Sequence, residues 1–75
     1  MTSEQVESEL KKLQAIATDL DLAAELRMVA VKYIAKIGTQ EALNALLGLA
    51  ASDKITAKER ETALKLSQAI IKSGK

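Results

Sequence analysis

The sequence contains no cysteine, histidine, proline, tryptophan or phenylalanine, its one aromatic residue is Tyr33, and its three glycines stand apart. Without cysteine there are no disulfide staples, and without cysteine or histidine the usual zinc sites are missing. The commonest general base and the strongest nucleophile are missing with them, so the chain is not predicted to be an enzyme, and no metal or cofactor is expected. Gly38, Gly48 and Gly74 are isolated, which leaves no GxGxxG, Walker or EF-hand loop. The longest uncharged run, ALNALLGLAAS, has 11 residues, well short of the roughly 20 that cross a bilayer. The opening MTSEQVESEL is polar and acidic, unlike the basic-then-apolar pattern of a signal peptide. These two observations predict a soluble chain that does not enter the membrane, in the cytoplasm.

What the sequence does have is alanine, leucine, lysine, glutamate and isoleucine. Hydrophobic residues make up 48% of the 75, and 13 of them are alanine, so the composition favours closely packed helices along nearly the whole chain. The length suits one small domain over residues 1–75, near the size at which a single core becomes marginal without a staple.

Four helices follow from the periodicity. The first spans about Ser3 to Thr18, with Val6, Leu10, Leu13, Ala17 and Leu20 along one face, Glu4, Glu7 and Glu9 near its positive end, and Glu7 four residues before Lys11. The interruption TDLDLAAE offers Asp19 or Asp21 as an N-cap for a second helix running to about Ile37. Its wide apolar face carries Leu26, Val29, Ala30, Tyr33, Ile34 and Ile37, which predicts a packed Tyr33 whose hydroxyl reaches the surface. Gly38 suits a left-handed helix end and Thr39 an immediate cap, so the third helix, about Gln40 to Ala51, begins almost at once. After SDKIT, the stretch from Thr56 to Glu59 reads as a capping box opening a fourth helix that runs to about Lys72.

Shifting the chain by 33 residues superimposes Leu10 on Leu43, Leu13 on Leu46, Ala17 on Ala50, Arg27 on Arg60, Ala30 on Ala63 and Lys32 on Lys65. With two further matches, 8 of the 28 positions from 10 to 37 are identical without a gap, against roughly three by chance. The stretch LRMVAVKYIAKIGTQEALNALLGLAASD resembles the HEAT-like repeats of the phycobilisome-lyase type. Leu26-Arg27 stands for the Val-Arg of those repeats, Ala30 for the tightly packed alanine, Ile37-Gly38 for the turn, Glu41-Ala42 and Leu46 for the next helix, and Asp53 for the closing acid. The flanks depart from the pattern: Glu59 precedes Arg60 where an apolar residue belongs, and Ser73-Gly74 replaces Ile-Gly.

The resemblance implies an all-α fold of four helices in two stacked antiparallel pairs, a HEAT-like α-solenoid fragment with one repeat over about 3–38 and the next over about 39–74. It also implies protein-protein scaffolding, and a structural role for Arg27 and Arg60 as partners of a loop acid, here Asp21 or Asp53. A tetratricopeptide pair lacks its aromatic positions here, and a plain four-helix bundle gives no reason for the 33-residue shift.

Residues 1–25 carry six acids and two bases, whereas residues 26–75 carry four acids and nine bases. Arg27, Lys32 and Lys36 on the second helix and Lys58, Lys65 and Lys72 on the fourth form the candidate binding face, basic and suited to an acidic partner. The predicted function is a non-enzymatic interaction module that binds another protein through the exposed faces of helices 2 and 4. One alternative is nucleic-acid or acidic-ligand binding by the basic stripe, which a net charge of only +1 and the lack of interleaved aromatics disfavour. The other is a designed or purely structural helical protein with no natural ligand. Helix 1 reads as a polar cap, which predicts that the open end of the stack is carboxy-terminal and that a homodimer forms through Ala57, Leu64 and Ile71 of helix 4.

Overall fold

In the computed structural model, which describes residues 3–74 and the side chains of residues 5 and 7–73, most of the internal helix boundaries have a local cause. α1 (Ser3–Ala17) is followed by a turn in which Thr18 donates to the carbonyls of Gln14 and Ala15, and Asp19 Oδ1 accepts from the Asp21 amide. That use of Asp19 closes the turn and does not cap the next helix. The N-cap of α2 (Ala24–Ile37) is Ala23, which has no side-chain capping bond, so the expected Asp19 or Asp21 cap is replaced by a turn two residues upstream.

Gly38 ends α2 at φ 67°, in the left-handed region where a side chain is strained. Thr39 caps α3 (Gln40–Ala50) at once, its Oγ1 accepting from the Ala42 amide at 3.1 Å. At α4 (Ala57–Gly74) the capping box is complete: Thr56 Oγ1 accepts from the Glu59 amide at 3.2 Å, and Glu59 Oε1 accepts from the Thr56 amide at 3.0 Å. The other helix ends lie within two residues of those read from the sequence; the start of α2 falls two residues after the one an Asp21 cap implies and four after that of an Asp19 cap. The expectations for Val6 and Glu4 concern side chains outside the described set.

The protein is all-α: four helices and, among the described residues, no strand. α1 packs on α2 and α3 on α4, while α2 also touches α3 and α4, and α1 touches α3. α1 and α4 do not meet. A closed bundle brings its first and last helices together; this arrangement instead places α1 and α3 in one layer and α2 and α4 in the other, with α2 and α3 each touching all three other helices.

The core is built from Leu10, Val31, Ile34, Leu46, Leu49 and Ile55 together with the alanines at 17, 30, 42, 45 and 63. Nearly half of these buried residues are alanine, and a methyl at the contact lets helix axes approach more closely than leucine does. Ile55 belongs to the α3–α4 connection, so that loop is plugged into the core. Ser67 is fully buried as well, and its hydroxyl is satisfied by donating to the Ala63 carbonyl at 2.8 Å.

The apolar face of α2 divides. Ala30 and Ile34 are buried and Ile37 partly so, but Leu26, Val29 and Tyr33 stand in solvent, Tyr33 being 55% exposed. The buried stripe turns instead through Arg27, Ala30, Val31 and Ile34. A stripe on a helix spans roughly 100°, whereas the apolar residues of α2 extend well past that, and neighbours cover only part of them. Leu20 falls in the α1–α2 turn and is also exposed. No described helix is long and apolar enough to cross a membrane.

Ala30 is buried among the core residues of the helix pairs. Ala30→Leu is expected to cost about 1–3 kcal/mol by overpacking, whereas Lys32→Ala, a change on the exposed face two residues away, should stay within about 0.5 kcal/mol. Urea denaturation of both variants checks this; an unchanged midpoint for Ala30→Leu contradicts the packing described.

Candidate functional site

The local sequence of α4 sets the site. The capping box holds Glu59 in the first turn of the helix, and the same carboxylate that caps Thr56 faces α2. There it meets Arg27, which sits on the inward stripe of α2. Arg27 Nη2 donates to Glu59 Oε2 at 2.9 Å, Nε reaches Oε1 and Oε2 at 3.4 and 3.3 Å, and Nη1 donates to the Leu22 carbonyl at 2.6 Å. Both residues are buried, at 6% and 5% exposure. The guanidinium thus spans the α1–α2 turn, α2 and α4, and its acid is Glu59 instead of Asp21 or Asp53. Chain geometry explains the change: the turn residues near Arg27 present a carbonyl, and the carboxylate comes from the neighbouring helix pair.

Burial alone raises the Glu59 pKa, but the hydrogen bond from Arg27, the backbone amide of Thr56 and the positive charge of Arg27 outweigh it, and the group is held below the ordinary carboxylate value. The carboxylate is therefore ionised and fully engaged, which removes it as a proton donor. No buried side-chain nitrogen or oxygen among the described residues lacks a partner. Nor does any group of described acids have the arrangement of a metal site.

Above this pair an open groove of about 650 Å³ runs between α2 and α4. Met28 and Val29 give it an apolar side, Thr56 and Thr62 a polar one, and Glu25, Lys32 and Lys58 line it as charged residues. Of the six residues of the candidate basic face, the structure brings Lys32 and Lys58 together here. Arg27 lies beneath them, committed to Glu59 and closed to a ligand, so the structure corrects its assignment to the binding face. Lys36 lies one turn beyond Lys32, over the ring of Tyr33 at 5.7 Å from its centroid and outside the groove lining. Lys65 and Lys72 are exposed farther along α4, outside the groove lining. Arg60 makes only a long contact to the Ser52 carbonyl, at 3.5 Å.

Glu59 is the site residue that sequence reasoning placed only as a cap. Its signal was present: an acid stands where the repeat pattern wants an apolar residue, and an inward position occupied by a charge calls for an inward partner.

Because the folded-state pKa of Glu59 is depressed, its contribution to stability is fully present above the unfolded value near 4.5 and is lost as pH falls through the folded value. Thermal melts between pH 7 and 2 should show this loss in the wild type and a shallower acid slope in Glu59→Gln, which is already less stable at pH 7. Equal slopes in the two proteins contradict the assignment of the buried pair.

Comparison with protein-family models, curated proteins and solved structures finds no match for this chain.

Proposed function

We propose that this protein is a non-enzymatic interaction module that holds a segment of another protein in the groove between α2 and α4, and that its helix pairs are HEAT-like repeats. The observation that carries the reading is the groove itself, with an apolar strip at Met28 and Val29 and two ammonium groups, Lys32 and Lys58, beside it. A segment with an apolar side chain flanked by carboxylates matches this lining, and Glu25 disfavours an acid at its own position. The repeat reading draws on the two-layer order, α1 with α3 and α2 with α4, and on the Arg27 and Arg60 correspondence at the 33-residue shift. The only buried acid among the described residues is tied to Arg27 and Thr56, which supports binding over catalysis.

A panel of fluorescently labelled peptides with a central leucine between glutamates, titrated by anisotropy beside a labelled oligonucleotide at two salt concentrations, tests the reading. Peptide binding is expected to saturate and to weaken about tenfold in Lys58→Glu, as reversal of a contacting charge requires. Tight oligonucleotide binding with a steep salt dependence, and none by the peptides, overturns the protein-partner reading in favour of nucleic acid.

A further inference from the structure

The large exposed apolar residues are not scattered. Ile16, Leu26 and Tyr33, with Leu20 nearby, lie on the first helix pair, and Val29 stands between them and the α2–α4 groove; Leu47, Leu64 and Ile71 lie on the second pair. Leu13, Leu22 and Ala30 join the first set to line an almost wholly apolar depression of about 330 Å³. The larger apolar end is therefore the amino-terminal one, opposite to the carboxy-terminal end expected from the polar residues of helix 1.

The 33-residue shift explains this end. Ile16, Leu22, Leu26, Val29 and Tyr33 correspond to Leu49, Ile55, Glu59, Thr62 and Leu66. In the second pair these are the residues turned towards the first pair: Leu49, Ile55 and Glu59 are buried, and Thr62 and Leu66 are half-buried. The correspondence also holds in the other direction. Arg27 and Val31, buried where the first pair meets the second, correspond to Arg60 and Leu64, which are half-buried and exposed on the far side of the second pair. Each end of the molecule thus repeats one half of the internal joint.

We propose that the amino-terminal face docks the carboxy-terminal face of a second copy of this chain, so that copies stack head to tail as the two helix pairs stack within one copy. The repeat correspondence favours this pairing over a symmetric one, since each end matches the half of the joint that the other end lacks. The halves of the chain also differ in the sign of net charge, with six acids and five bases over residues 3–37 and four acids and six bases over residues 38–75. The contact is heterologous and does not close, so it predicts growth beyond a dimer. One position departs from the internal joint: Leu26 occupies the place of Glu59, and the incoming Arg60 finds no carboxylate there. The intermolecular joint is accordingly weaker than the internal one, and a single substitution supplies what it lacks.

Sedimentation equilibrium over about 10 to 500 μM is expected to show an average mass that keeps rising with concentration. Leu26→Glu, at an exposed position that leaves the fold intact by circular dichroism, should tighten association about tenfold by giving Arg60 its acid. The same substitution in an Arg60→Ala background should weaken it. A monomer throughout this range, a mass that levels off at two copies, or weakening by Leu26→Glu in both backgrounds overturns the proposal.

Discussion

The contact between Arg27 and Glu59 is the constraint on which the rest of the structure depends. It removes two charges from water, which costs several kcal/mol per ion unless geometry and hydrogen bonding return it. Here every element of the surroundings contributes to that return. The forked guanidinium meets both carboxylate oxygens, the remaining arm takes the Leu22 carbonyl, and the Thr56 amide completes Glu59. The α1–α2 turn, the inward stripe of α2 and the first turn of α4 must therefore sit in one register. An apolar pair of equal volume can match such a contact in stability, but it tolerates sliding along the helix.

Small residues around this contact make it geometrically possible. Ala30 and Ala63 are buried one turn beyond Arg27 and Glu59 on their helices, where a methyl lets the neighbouring helices approach closely. Ile55, buried from the α3–α4 connection, keeps the cap of α4 against the core while Thr56 and Glu59 close it. Function then divides by location. The inward faces are committed to the joint, the α2–α4 surface above it is a mixed groove, and the two ends keep the apolar character of a joint without a partner.

Helix ends were legible because their causes are local: Gly38 and Thr39 are adjacent, and Thr56 and Glu59 lie three apart. Ala30 and Ile34 were legible as core from periodicity, and both are buried; Leu13 packs against that core while only partly buried, and Leu46 and Ala63, matched to Leu13 and Ala30 by the 33-residue shift, are fully buried. The exposure of Leu26, Val29 and Tyr33 was not legible, because a wide apolar face says that something covers it without saying whether the same copy does. Nor was the partner of Arg27. Residues 32 apart are brought together only by the stacking of the pairs, and Glu59 already had a local role as a cap that accounted for it. The candidate binding face was half legible: its lysines are exposed as read, but an arginine in sequence among them belongs to the interior.

A double-mutant cycle on the buried pair tests the central claim most directly. With Arg27→Met, Glu59→Leu and the double variant measured by urea denaturation at pH 7, each single change should cost about 3–5 kcal/mol by stranding a charge or its hydrogen-bonding partners. The double variant should cost less than the two single costs added together, by a coupling of about 2–3 kcal/mol. A coupling near zero, with the two costs simply adding, contradicts the account that this one contact ties the helix pairs together.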